Sequence, residues 1–177
     1  MCGIVGYIGN KNAKDVVLKG LKRLEYRGYD SAGISTLNVN TLEISKIKGK
    51  VAALTASITD DNHQGVIGIG HTRWATHGEP NIKNAHPHSD SSGKFALVHN
   101  GIIENYKILQ EFLKDKGIIC QTDTDTEVLV QFIGYLYEKE KLEFVEIVRL
   151  ALEKVVGAYG ILVMCSDYPD TIIAARF

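Results

Sequence analysis

Cys2 is the residue in this sequence with the most direct route to covalent chemistry. Aminopeptidases trim an initiator Met ahead of small residues, cysteine included, and the trimmed chain would begin at Cys2. Its thiol and a free α-amine would then share one residue. An α-amino group titrates near pH 8, well below a lysine. It can take the thiol's proton, directly or through a water, and later pass it to a leaving group. Nucleophile and base arrive together, and no distant histidine is required. Gly3 is expected to leave room for a substrate to approach the main chain. Position alone does not separate this from an inert second residue, since most cysteines are buried and structural. Cys120 and Cys165 lie in apolar contexts and read as structural.

A nucleophile of this kind needs donors for the negative charge it creates. Asn100-Gly101 suits that purpose, because an Asn side-chain N–H and a Gly main-chain N–H can aim at one oxygen. The same N-G pair is also a hairpin-turn signal, and a turn would present the two donors. Five of the six histidines fall between His71 and His99. Their spacing fits no common structural-zinc pattern, and no cysteine lies in that span. They read as loop and packing residues, with His86 and His88 ordering a loop, and no metal is expected.

The elements that must hold these groups follow from periodicity. Ile4 to Ile8 is a short apolar run, readable as a buried strand. Ala13 to Tyr26 places Val17, Leu21 and Leu24 on one helical face. Ala32–Leu37 and Leu42–Ile47 read as strands joined at Asn38-Val39-Asn40, and Val51–Ile58 as a short helix. Val66–Gly70 reads as a strand ending at His71, and Phe95–His99 as one stopping at Asn100-Gly101. Between them, Ala75 to Gly93 is rich in Gly, Pro, His, Asn and Ser and reads as a long surface loop. Three helices follow. Leu109, Phe112 and Leu113 mark the first, and a Thr124-x-x-Glu127 capping box opens the second. The stripe from Phe144 to Val155 marks the third. Tyr159–Cys165 and Thr171–Ala175 close the chain as strands. Strict alternation of strand and helix is absent, so an α+β protein with largely antiparallel sheets is expected.

Composition narrows the function classes. At 177 residues the chain supports one domain with a substantial core. Its 45% apolar content is that of a globular protein. Twenty basic and 21 acidic residues leave a net charge of −1, with no basic stripe for nucleic acid or an anionic membrane. No apolar stretch reaches the length of a membrane span, and no secretory signal opens the chain. Three separated cysteines make a disulfide framework improbable, and a cytoplasmic location is expected.

Longer motifs identify a resemblance. The opening C-G-I-V-G at 2–6 resembles the start of class II glutamine amidotransferases, which are N-terminal-nucleophile hydrolases. Residues 26–33 read Y-R-G-Y-D-S-A-G, and residues 70–80 read G-H-T-R-W-A-T-H-G-E-P. N-A-H-P-H follows at 84–88, H-N-G-I-I-E-N at 99–105 and T-D-T-D-T-E at 122–127. Together, and in this order, they are similar to the branch of the family that makes glucosamine 6-phosphate, and the similarity covers nearly the whole chain. Amidophosphoribosyltransferases resemble a version with R-Y-S-T-T-G where this chain has Arg73 to Gly78.

The resemblance implies a four-layer αββα sandwich of antiparallel sheets and hydrolysis of the side-chain amide of L-glutamine through a Cys2 thioester. It implies Arg73 and Asp125 as the groups for the α-carboxylate and α-ammonium of glutamine. Arg73 brings a planar fork that can take a carboxylate bidentately, although a surface ion pair would use the same residue. Thr76 and His77 are implied as polar contacts near the α-carboxylate, Arg27 as a neighbour of the nucleophile and Trp74 as part of a loop over glutamine. By residue type alone, Arg27 could anchor its turn and Trp74 could be core. No cofactor is implied. The implied partners are glutamine and, in a full-length homodimeric enzyme, a C-terminal sugar-phosphate isomerase module that this chain does not contain. The family's glutaminase domain continues beyond the segment resembling I-I-A-A-R, and Phe177 departs from its pattern. Residues 1–177 are therefore expected to be a C-terminally incomplete glutaminase domain. A glutamine-binding remnant without turnover and a sister class II amidotransferase are the alternatives.

Overall fold

The computed structural model describes residues 2–27, 30–59, 61–74 and 81–177. Eight strands form two four-stranded sheets, antiparallel throughout. The first sheet runs β1 (Gly3–Ile8), β4 (Ile67–Arg73), β2 (Ser31–Asn38) and β3 (Thr41–Lys48). The second runs β5 (His88–Ser89), β6 (Phe95–Ile103), β7 (Gly157–Cys165) and β8 (Ile172–Arg176).

Three separate apolar layers hold these elements together. Val17 and Leu21 of α1 (Ala13–Leu24) and Leu54 of α2 (Val51–Ser57) pack on Ile34 of the first sheet. Ile67, Ile69, Ala96, Val98 and Met164 meet between the two sheets. Three helices, α3 (Tyr106–Asp115), α4 (Asp125–Glu140) and α5 (Phe144–Leu152), cover the second sheet through Ile133, Phe144 and Ile147. The order is helix, sheet, sheet, helix, which is the expected αββα sandwich.

Side-chain alternation decides what reaches the inter-sheet layer. On β6, Phe95 and Leu97 join the helical core, whereas Ala96 and Val98 join the inter-sheet core. On β4, Ile67 and Ile69 point between the sheets. The alternate positions, Gly68 and Gly70, lie under α1. A Cβ on Gly70 would come within 2.5 Å of Val17. Continued by two residues, the same parity brings His71 and Arg73 to the inter-sheet side. Asn100 arrives there from the facing sheet.

Several boundaries differ from the sequence expectation. Strand β4 runs on past Gly70 to Arg73, because β1 and β2 flank it and Arg73 still pairs with Ser31. Strand β6 does not stop at Asn100-Gly101, so this N-G pair is not a hairpin turn. Both residues stay in the ladder opposite Gly160 and Tyr159, with Gly101 at φ +126°. Only glycine takes that conformation easily. Of the long segment 75–93, the part from 81 onward is described, and it is not a surface loop. Asn84, Ala85, His86 and His88 are buried, and β5 pairs with Leu97 and Ala96.

Half of the capping box forms. The Thr124 hydroxyl accepts from the Glu127 N–H at the start of α4. The Glu127 carboxylate turns instead to the main-chain N–H groups of Gln121 and Thr122. Gly3 also departs from expectation. A Cβ there would lie 2.8 Å from both Leu24 Cβ and Thr72 Oγ1. Close packing of α1 on β1 explains this glycine, and no space for a substrate is left beside it.

Candidate active site

The two sheets part at one end around a cavity of about 540 Å³. Cys2, Arg73, Trp74, Asn100, Gly101 and Asp125 all line it. Their origins are an N-terminus, the end of β4, the middle of β6 and the first turn of α4. Sequence separations of up to 123 positions collapse into one site because the end of β4 meets the middle of β6 across the inter-sheet layer.

Cys2 sits just before β1, whose Gly3 pairs with Thr72. Its Sγ accepts from the Trp74 main-chain N–H at 3.3 Å, and the thiol approaches the Trp74 carbonyl at 3.7 Å. The thiol is thereby clasped by the peptide groups of a single residue. The Trp74 side chain is 42% exposed, so it is not a core residue.

Asn100 bridges Cys2 to the sheet below it. Its Nδ2 donates to the Cys2 carbonyl at 3.3 Å, and its Oδ1 lies 2.8 Å from His71 Nε2. A carboxamide nitrogen carries two hydrogens, so one remains for an oxygen arriving at the thiol. Gly101 follows at positive φ. A Cβ there would stand 2.1 Å from the Ala158 carbonyl oxygen, so no larger residue fits without displacing β7.

Arg73 and Asp125 line the same cavity as opposite charges. Burial lowers the pKa of the Arg73 guanidinium, while nearby Cys2, Asp125 and Asp30 act to raise it. Asp125 Oδ2 accepts the Ile103 main-chain N–H at 2.8 Å, which orients the carboxylate. Its place in the first turn of α4 also suits a negative charge. A buried cation and an anchored carboxylate in one cavity have the charges that a zwitterion such as the α-carbon of a free amino acid would need.

Below the cavity lie histidines that the sequence left as packing residues. His86 Nε2 and His99 Nδ1 both meet the Thr126 hydroxyl, at 3.2 and 3.1 Å. His88 Nε2 meets Thr124 at 3.1 Å. They tie the segment before β5 to the start of α4, so His86 and His88 do order it. Burial keeps them uncharged, pushing His71 down to about 4 and His86 and His88 well below the ordinary imidazole value. Among the described residues, no group of three or more His, Cys, Asp or Glu is placed to hold a metal ion.

Of the other expected residues, Thr76 and His77 lie outside the described residues. The main chain of Arg27 closes a 3-10 turn, Glu25–Arg27, and its side chain is outside the description. Cys120 and Cys165 are free thiols away from the cavity lining. Burial pushes both to about 11, consistent with inert residues. Sequence reasoning did not single out His71, His99, Asp123 or Thr126, which also line the cavity. His71 falls inside G-H-T-R, and its parity with Arg73 was the available signal.

Two facing antiparallel sheets between helical layers, with a near-N-terminal cysteine lining the cavity at their edge, are the arrangement of an N-terminal-nucleophile hydrolase of the class II amidotransferase type. The chain belongs to the glutamine amidotransferase domain family, whose model matches residues 58–146. It is 54% identical over 177 residues to the glutamine–fructose-6-phosphate aminotransferase [isomerizing] of Bacteroides thetaiotaomicron, covering 99% of this chain and 29% of that protein. It is 51% identical to the protein of the same name from Caldanaerobacter subterraneus subsp. tengcongensis, covering 99% of this chain and 28% of that one. The chain thus spans less than a third of the length of these relatives. Among solved structures it is similar to glutamine phosphoribosylpyrophosphate amidotransferase from B. subtilis, at TM-score 0.82 and 29% identity. That match covers 99% of this chain and 37% of the other. A glutamine aminotransferase class-II domain protein from Silicibacter pomeroyi, at TM-score 0.58 and 12% identity, shares the fold.

Proposed function

We propose that this chain hydrolyses the side-chain amide of L-glutamine to glutamate and ammonia. The observation that carries the proposal is one cavity holding Cys2, the Asn100-Gly101 pair and the opposed charges of Arg73 and Asp125. Glutamine binds with its α-carboxylate on Arg73 and its α-ammonium on Asp125. Thr76 and His77 add polar contacts to the carboxylate, Arg27 lies near the nucleophile, and Trp74 belongs to a loop over glutamine.

The α-amine of Cys2, freed by removal of Met1, takes the thiol proton, and the thiolate attacks the δ-carbonyl carbon. Charge moves onto the carbonyl oxygen, where the second Asn100 N–H and the Gly101 N–H receive it. The amine returns the proton to the departing nitrogen, the C–N bond breaks and ammonia leaves. Water then attacks the γ-glutamyl thioester, with the same amine as base. Glutamate departs and the thiol is restored.

In a longer chain like the relatives, the ammonia would be consumed by the remaining part, which would convert fructose 6-phosphate to glucosamine 6-phosphate. The names of those relatives and the 99% coverage of this chain support that reading. A cytoplasmic setting is consistent with free thiols. Among the described residues no helix is long and apolar enough to cross a membrane.

The test is release of glutamate and ammonia from L-glutamine by the Met-processed chain, beside Cys2→Ala. Turnover that vanishes in the variant is the expected result. No turnover from a folded, processed sample would leave glutamine binding without hydrolysis as the better description.

A further inference from the structure

The polar contact beneath the oxyanion donors has a direction. His71 Nε2 and Asn100 Oδ1 lie 2.8 Å apart, and His71 is 1% exposed. A carboxamide oxygen only accepts, so the hydrogen must sit on Nε2 of His71. The reverse placement of the amide would turn Oδ1 toward the Cys2 carbonyl, setting two acceptors against each other. It would also require Nε2 to be bare. The assignment of both groups is therefore fixed by their surroundings.

We infer that His71 is a positioning residue for the glutamine hydrolysis proposed above. Its Nε2–H locks the Asn100 carboxamide so that the Nδ2 hydrogens face the nucleophile. It touches neither substrate nor thiol. Without it, the terminal torsion of Asn100 is broad and nearly two-fold, and the amide can turn its oxygen toward the developing oxyanion. An acceptor in that place repels the charge it should hold. Burial keeps His71 neutral, with its pKa down at about 4, so it takes no part in proton transfer at neutral pH. The contact also joins the two sheets, because His71 comes from β4 and Asn100 from β6.

This inference rests on the glutaminase reading, and the experiment separates the two. Steady-state glutamine hydrolysis is measured for the parent, His71→Leu, His71→Gln, Asn100→Ala and the double variant His71→Leu/Asn100→Ala. Circular dichroism and Tm are recorded for each. The His71→Leu chain should lose about 100-fold in kcat with KM within about twofold, since an oxyanion contact acts in the transition state. His71→Gln carries an N–H of similar reach and should recover at least about tenfold of that loss. In the Asn100→Ala background, His71→Leu should cost less than about threefold further, because the two residues act as one unit. Equal losses in both backgrounds, a change confined to KM, or no recovery by Gln would overturn the inference.

If the parent releases no ammonia, the glutaminase reading fails by itself. Ring ¹⁵N shifts then decide the His71 contact, as they also do if His71→Leu does not fold. An Nε2–H tautomer with an Asn100 side-chain amide signal that moves in His71→Gln supports it. An Nδ1–H tautomer overturns it.

Discussion

The main-chain N–H of Trp74 points at the sulfur of Cys2 from 3.3 Å. A donor at that distance fixes where the sulfur sits. It also ties the nucleophile to the residue that follows Arg73, the proposed carboxylate-binding residue. Substrate contact at Arg73 and the position of Sγ are thus mechanically linked through one peptide.

The role of Cys2 as nucleophile and base can be separated experimentally. Cys2→Ser keeps an amine and a hydroxyl but a far weaker nucleophile, and should drop kcat by orders of magnitude. A chain that keeps Met1 has an amide where the base should be, and should be inactive with Cys2 intact. Mass spectrometry of the N-terminus alongside ammonia release checks both.

Arg73→Lys should raise KM for glutamine by roughly 10- to 100-fold, the value of a lost charge-assisted contact. Asp125→Asn should do the same by removing the charge that faces the ammonium while keeping a similar shape. Both should leave Tm nearly unchanged. Initial-rate kinetics with L-glutamine is the measurement.

Gly101→Ala should be harmful twice. Its methyl would meet the Ala158 carbonyl at 2.1 Å, and its φ of +126° is strained for alanine. A stability loss of about 1–3 kcal/mol is expected, together with a fall in kcat as the N–H is re-aimed. Thermal unfolding and turnover read the two effects separately.

Acid should destabilise the fold through the buried histidines. Their folded pKa values lie below the unfolded value, so the unfolded chain binds more protons as pH falls. Their contribution is complete above about pH 6.5 and is lost progressively below it. For His71 the loss reaches roughly 3 kcal/mol near pH 4. Urea midpoints should hold from pH 7.5 to about 6.5 and decline from there to pH 5. A flat profile would contradict a neutral buried cluster.

Alkylation should distinguish the three thiols. Cys2 lines the cavity, whereas burial pushes Cys120 and Cys165 to about 11 and leaves them almost wholly protonated. Iodoacetamide at pH 7.5 should label Cys2 first, and L-glutamate should slow the labelling. Peptide mapping identifies the site.

The sequence showed most of the fold but misjudged what flanked the site, for physical reasons. Among the described residues, alternating or helical apolar patterns located all five α-helices and seven of the eight strands to within a few residues. The two-residue β5 carries no pattern of its own. It was missed because His86 and His88 look like surface residues until Thr124 and Thr126 are folded beneath them. Asn100-Gly101 misled in the same way. N-G signals a hairpin where neighbours permit one, but here β7 offers partners on as far as Ile103, and the ladder continues. Arg73, Asp125 and Cys2 could be named from motifs. The link from His71 to Asn100 could not, because it crosses between sheets.

The parity of β4 has a consequence for the economy of the cell. A slip of one residue against β2 would send His71 and Arg73 under α1 and bring glycines to the inter-sheet layer. Such a misassembled chain would lose the arginine proposed to bind carboxylate and the contact that holds Asn100 in the same event. On the proposed function, partly folded copies would then have no means of draining the glutamine pool. Ammonia would be released only by molecules whose two sheets have already found their register, and folding itself would act as the safety catch on the reagent.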